Sequence, residues 1–208
     1  MTGPVDPAPQ PPGPATTYPV ALPVPIRTER LLLRPWRPDD DVDRTAYRRL
    51  MGDPDVVRYL YDQVLDPPAA DRQLSERQST ITGPGEWMNL AVELADGGGP
   101  VGDVGLAWMG DDHRQAEIGY TILPVHHGAG YATEAAAAMV DTAFTVLGAH
   151  RVCGKLDGRN GASARLLARL GMRLEATLVD NEWVKGEWAG EVVYAVLADE
   201  WGARRPAG

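Results

Sequence analysis

Two glycines one residue apart, in His127-Gly128-Ala129-Gly130-Tyr131-Ala132-Thr133, stand where an apolar run ending at Leu123 gives way to an alanine-rich one. Without Cβ atoms at Gly128 and Gly130, backbone N–H groups converge in the turn. The helix that follows adds its unpaired first-turn donors and the positive end of its dipole. The chemistry such a turn offers is a seat for a phosphate or pyrophosphate. Glycine is common in ordinary turns, so the spacing alone also fits a plain strand-to-helix connection. The adjacent His126 and His127 raise metal ligation, but no second ligand pair stands at zinc-like spacing and no metal is expected.

A sheet must hold the strand before this turn, and a packed face must hold the helix after it. Ala135, Ala136, Met139, Val140, Ala143, Phe144 and Leu147 keep the i, i+3/i+4, i+7 rhythm of a helix with one face on a sheet, and Gly148 stops it. Trp87 to Leu94 and Val101 to Met109 read as a hairpin across Ala95-Asp96-Gly97-Gly98-Gly99-Pro100. Asp111 to Arg114 supplies a turn, and Gln115 to Leu123 is the third strand of an antiparallel meander. Arg27 to Trp36 is a strand stopped by Pro35, and Pro38 to Asp41 opens a helix reaching Leu50. Val56 to Tyr61 is a short helix and Ala69 to Thr82 a polar one. After Gly148 come a strand over His150 to Leu156, a helix over Asn160 to Leu170, a strand over Met172 to Val179 and a last strand over Glu191 to Leu197. The order predicts an α/β fold of mixed α+β type, with one sheet of about seven strands flanked by helices.

The chain has 208 residues, enough for one domain and its own core. Residues 1–26 hold half of its 18 prolines and no apolar periodicity, which predicts a disordered, polyproline-II-like tail. The domain is expected over 27–201, with a flexible C-terminal tail over 202–208. A formal net charge of -9 argues against nucleic acid or an anionic membrane surface as partner and permits a cationic substrate. Cys153, the single cysteine, cannot form an intrachain disulfide and reads as a buried thiol. With no apolar run of membrane-spanning length and no signal-peptide pattern, the cytoplasm is the expected location.

The full string Gly128-Ala129-Gly130-Tyr131-Ala132-Thr133-Glu134-Ala135, directly after a strand ending in Leu123-Pro124, resembles the coenzyme A loop of the GNAT acetyltransferases. Within them it resembles the RimJ/RimL branch, whose opening strand Arg27 to Trp36 also resembles. The resemblance covers about residues 27–201. It implies the GNAT fold, a central, mostly antiparallel mixed sheet with a splayed acetyl-CoA cleft between the strand ending at Leu123 and the one starting near His150. It implies transfer of an acetyl group from acetyl-CoA to a primary amine by direct attack on the thioester. The acceptor is a protein or peptide N-terminus or a small amine such as an antibiotic, and the protein a monomer or homodimer. The competing reading is a non-catalytic acyl-CoA-binding module.

The resemblance also implies roles. Backbone N–H groups from Gly128 through Ala129, Gly130, Tyr131 and Ala132 to Thr133 would take the pyrophosphate, and backbone along Thr121, Ile122 and Leu123 the pantetheine arm. His127 falls where the family pattern has Gln or Arg, a departure that makes its charge depend on pH. Glu117, two residues before Gly119 on the central strand, is the expected general base, with Glu182 and Glu187 of an aromatic loop over Asn181 to Trp188 as runners-up. Glu191 stands beside Gly190, which replaces the usual acid there. Asn160-Gly161-Ala162-Ser163 matches an Asn-x-x-Ser form in which Asn160 would bond the pantetheine arm and Ser163 would donate to the sulfur. Leu167 occupies the position where many relatives carry a tyrosine acid. Tyr59, Tyr61, Asp62 and Asp66, between the first two strands, are candidates for acceptor contact.

Overall fold

The computed structural model describes residues 18–109 and 114–203. The chain runs β1 (Val20–Ala21), β2 (Ile26–Arg27), β3 (Leu31–Pro35), α1 (Asp41–Met51), α2 (Pro54–Val57), α3 (Pro67–Ser75), β4 (Thr80–Ile81), β5 (Trp87–Leu94), β6 (Gly99–Trp108) and β7 (Gln115–Ile122). A 3-10 turn over Pro124–His126 leads to α4 (Tyr131–Thr145), β8 (Arg151–Asp157), α5 (Gly161–Arg169), β9 (Arg173–Val184), β10 (Glu187–Leu197) and α6 (Ala198–Gly202). The main sheet has eight strands in the order β2-β3-β5-β6-β7-β8-β10-β9, against about seven expected, the extra one being the two-residue β2.

Aspartates set the helices between β3 and β5. Asp40, Asp53 and Asp66 each accept a backbone N–H as N-cap of α1, α2 and α3, and Pro54 and Pro67 occupy first-turn positions where no donor is lost. Asp43, one turn into α1, grips the buried Arg34 of β3 with both oxygens at 2.6 and 2.7 Å, locking that helix to the sheet.

The proline-rich segment folds earlier than expected. Val20 and Leu22 are buried, and β1 pairs antiparallel with β4, Val20 opposite Ile81. That partner also ends the predicted helix over 69–82 at Ser75, since Thr80 and Ile81 are drawn into a strand. The rest of the expected tail, residues 1–17, lies outside the described residues, as do most of the turn over 111–114 and residues 204–208.

β5, β6 and β7 form the expected antiparallel meander. α4 then carries the chain over the sheet, burying Ala135, Ala136, Met139, Val140 and Ala143, and returns it as β8 parallel to β7. A crossover helix is what a parallel neighbour requires. β7 and β8 pair at Gln115↔Arg151, Ala116↔Val152 and Glu117↔Cys153. Past Glu117 that ladder stops and the strands separate, which opens the sheet at its centre.

The last hairpin differs from expectation. Asn181 to Trp188 is the end of two paired strands, with Lys185 and Gly186 as a two-residue turn at φ 52° and 84°. Two successive left-handed residues suit the right-handed twist of a hairpin, but Lys-Gly is a weaker signal than Asn-Gly. Trp183 and Trp188 are cross-strand partners, edge-to-face with centroids 5.4 Å apart, and both are exposed rather than packed beneath a loop.

Candidate active site

Two cavities meet where β7 and β8 part. One, of about 900 Å³, runs along the β7 end, the glycine turn, the start of α4 and the start of α5. The other, of about 560 Å³, lies over the β6–β7–β8–β10 face and beneath the α2–α3 segment. Tyr59, Leu60, Tyr120 and Thr121 line both.

The first cavity is built for an anion at one end. Gly128 and Gly130 are left-handed, at φ 80° and 85°, and Gly130 caps α4 without a side chain. The amides at the start of α4 are therefore not covered by a capping oxygen, while Gly128, Gly130, Tyr131, Ala132 and Thr133 line the cavity. Ala129 does not line it, and its carbonyl instead accepts from Arg30 Nη1 at 2.8 Å. A Cβ on Gly130 would stand 3.3 Å from Arg30 Nη2, so the cation lies against the turn itself. Arg30 also donates to Glu134 in the first turn of α4, and Thr28 Oγ1 donates to the same carboxylate at 2.6 Å. Burial alone would raise the Glu134 pKa, yet Thr28 and Arg30 hold it below the ordinary carboxylate range. These features fit a pyrophosphate, with Arg30 as the nearby cation that the sequence reading missed.

His127 lines the same cavity, with its ring held from within the protein. Its Nε2 stands 2.7 Å from the Ile122 carbonyl, so the ring ties the turn to the strand end. The expected backbone run over Thr121 to Leu123 also narrows. Leu123 N–H bonds back to Val101 on β6 at 2.9 Å, its side chain is buried and it does not line the cavity. Because backbone groups alternate sides along a strand, those of Ile122 and Tyr120 face the gap, and Thr121 reaches it only by its side chain.

Across the gap Asn160 caps α5, its Oδ1 accepting from Ser163 N at 3.1 Å, and both residues line the cavity. Tyr120 Oη donates to the Ser163 carbonyl at 3.4 Å, and burial pushes its phenol up to about 12. Leu167 is buried against β8, so close that a Cβ on Gly154 would be 2.9 Å from its Cδ1.

The second cavity is rich in carboxylates. Glu117, Asp157, Glu191 and Glu182 line its β7–β8–β10–β9 side, with Lys155 among them, and Asp62, Arg77, Asn89 and Asp103 its opposite side. Tyr59 and Tyr61 also line it, whereas Asp66 does not and is the α3 cap. A hydrogen-bonded chain stiffens the far wall. Trp36 Nε1 and Asn89 Nδ2 donate to the buried Asp103 at 2.7 and 2.9 Å, and Arg77 joins Asn89 to Tyr47. Tyr47 Oη donates to Gln73, which donates to Asp62 at 2.7 Å. Burial pushes the Asp103 carboxyl up.

Most of the near-side carboxylates have partners. Glu117 pairs with Lys155 at 3.2 Å, Asp157 with Arg159 at 2.6 Å, and Glu182 accepts from Tyr61 Oη. Burial would lower the Lys155 pKa, but Glu117 holds it above the usual lysine value. Glu187, a runner-up base, pairs with Arg159 and lies outside the cavity. Lys155 and Arg77 were not singled out from sequence; the alternation of β8, which puts Lys155 on one face with Asp157, is the one signal there for Lys155.

Comparison with known proteins agrees with this geometry. Residues 30–173 match the family model described as an acetyltransferase (GNAT) domain. The chain is 26% identical over 176 residues to the uncharacterized N-acetyltransferase p20 of Bacillus licheniformis, covering 85% of this chain and 97% of that one. It is 25% identical over 165 residues to spermidine N(1)-acetyltransferase of Escherichia coli K12, covering 79% and 86%. The crystal structure of a GNAT-family acetyltransferase from Bacillus anthracis superposes with a TM-score of 0.74 at 27% identity, over 84% of this chain and 99% of that one. The chain belongs to the GNAT acetyltransferase family.

Proposed function

We propose that this enzyme is an acetyl-CoA-dependent N-acetyltransferase of RimJ/RimL-like type acting on a primary amine, best a small amine that carries further positive charge. The observation that carries this reading is the meeting of two unlike cavities at one break in the sheet, one ending in bare helix amides and Arg30, the other lined by carboxylates. A protein or peptide N-terminus fits the same chemistry, but the crowd of acids favours a substrate with more than one cationic centre. The similarity to a spermidine N(1)-acetyltransferase supports the same class.

Bound acetyl-CoA supplies the activated acetyl group. Amides from Gly128 through the first turn of α4 hold the pyrophosphate, with Arg30 beside them. The gap-facing backbone of Tyr120 and Ile122 aligns the pantetheine arm as an added strand would, and the Asn160 side-chain amide donates to it. The Ser163 hydroxyl donates toward the sulfur, where negative charge develops as the thioester opens. Glu117, paired with Lys155, sets the field of the acceptor cavity. An alkyl ammonium, with a pKa near 10.4, must give up a proton before it attacks.

The test is thiol release from acetyl-CoA with a panel of diamines, polyamines, monoamines and N-terminal peptides. Turnover with multiply charged amines is expected. Tight coenzyme A binding by calorimetry with no acceptor turned over above the buffer rate would defeat the reading.

A further inference from the structure

We infer that Glu191 is the group that receives the proton of the acceptor amine, and that Glu117 and Lys155 set the charge around it; this rests on the acetyl-transfer reading above.

The case begins with the ladder. On β8 the residues Cys153, Lys155 and Asp157 share one face, and their β10 partners across the antiparallel ladder are Ala195, Val193 and Glu191. Glu117 of β7 lies opposite Cys153. Cys153 and Ala195 complete that row, so Lys155 projects one step further along the same face and Glu191 one step further again. Lys155 thus stands between the two glutamates, bonding Glu117 directly and lying diagonal to Glu191.

Elimination among the cavity's acids points the same way. Asp103 accepts two hydrogen bonds, Asp62 accepts from Gln73, Asp157 is paired with Arg159, Glu182 accepts from Tyr61 and Glu117 is paired with Lys155. Among the described residues Glu191 alone of these carboxylates lines the cavity with neither a hydrogen bond nor an ion pair, so its oxygens are open to a ligand. Partial burial, with Glu182 and Glu117 nearby, raises its pKa above the ordinary carboxylate value, which brings it closer to that of an ammonium and makes it the stronger base.

The step balances with the groups at hand. The ammonium gives one proton to a Glu191 oxygen, and its nitrogen lone pair forms the N–C bond to the acetyl carbonyl carbon. The C–S bond breaks with its electron pair on sulfur, and the thiolate takes up the second proton that the nitrogen sheds on becoming an amide. Glu191 returns its proton to solvent before the next turnover.

The experiment is the pH dependence of kcat/KM with a diamine for the wild type, Glu191→Gln and Glu117→Gln, with coenzyme A affinity measured by calorimetry on each. Glu191→Gln is expected to lose about 100-fold at pH 7 with unchanged coenzyme affinity. That loss shrinks steadily as pH rises, because the free amine becomes available without a base. Glu117→Gln keeps a base-limited acid limb. A Glu191→Gln profile parallel to the wild type's, or loss of the acid limb in Glu117→Gln instead, overturns the assignment while leaving the acetyltransferase reading intact. A wild type that turns over no amine removes both.

Discussion

Arg30 and Glu134, 104 positions apart in sequence, close the phosphate end of the cleft. Arg30 N–H donates to Glu134 Oε1 at 2.8 Å, its Nε to Oε2 at 2.7 Å, and its Nη1 to the Ala129 carbonyl at 2.8 Å. A carboxylate in the first turn of α4 suits the helix dipole but opposes an anion seated on the same turn. Arg30 offsets that opposition. Arg30→Ala is expected to weaken coenzyme A binding about tenfold, and Arg30→Ala/Glu134→Gln to recover much of the loss. Calorimetric titration of both variants checks this, and equal affinities for the single and double variants would count against it.

The same pair links stability to acid. The Glu134 carboxyl titrates lower in the folded than in the unfolded chain, so its stabilisation is present above the unfolded pKa and is lost as pH falls through the folded one. The difference in Tm between wild type and Glu134→Gln is expected to be largest near neutrality and to close on acidification below about pH 4. Thermal melts across that range measure it.

Gly130 carries the seat's geometry. At φ 85° an added Cβ meets backbone strain, and it also crowds Arg30. Gly130→Ala is expected to cost about 1 kcal/mol of stability, read by denaturant unfolding. Gly130→Asp adds a charge where the phosphate goes. Coenzyme affinity should fall much further in Gly130→Asp than in Gly130→Ala, and matched affinities would separate the turn from the anion site.

An acceptor cavity lined by several carboxylates and few free cations should act on substrate charge. A diamine is expected to exceed the isosteric monoamine in kcat/KM by about tenfold at low salt, the advantage shrinking as ionic strength rises through the range where the Debye length approaches 10 Å. A salt series with both amines tests this.

Elements with local signals were legible in the sequence. The meander, the α4 face and the glycine turn follow from periodicity and from Gly128 and Gly130, and the family from the string around them. What stayed hidden depends on contacts between distant segments. β1 and β4 are two residues each and exist because Val20 meets Ile81, so neither has a period to read. Arg30 looked like one more charge in Arg27-Thr28-Glu29-Arg30 until the fold brought it to Ala129 and Glu134. Glu117 stood out by its place on the central strand, whereas its engagement with Lys155 comes from a β8 register that no spacing announces. The open carboxylate of Glu191 is visible only after every neighbouring acid's partner is known.

Lys155 sits between Glu117 and Glu191, and removing the charge of Lys155 or that of Glu117 should move the proposed base in opposite directions. The ammonium of Lys155 lowers the Glu191 pKa, and Glu117 raises it. Lys155→Met leaves the two glutamates without a cation between them. Glu191 then holds its proton to higher pH, the acid limb of kcat/KM moves upward, and activity at pH 7 falls about tenfold. Glu117→Gln removes the repelling charge and frees Lys155 to act on Glu191 alone, so the limb moves downward. Opposite displacements in the two profiles are the expected result. A purely structural role for the pair would lower both rates without moving either limb, and a base at Glu117 would abolish the limb in Glu117→Gln rather than displace it.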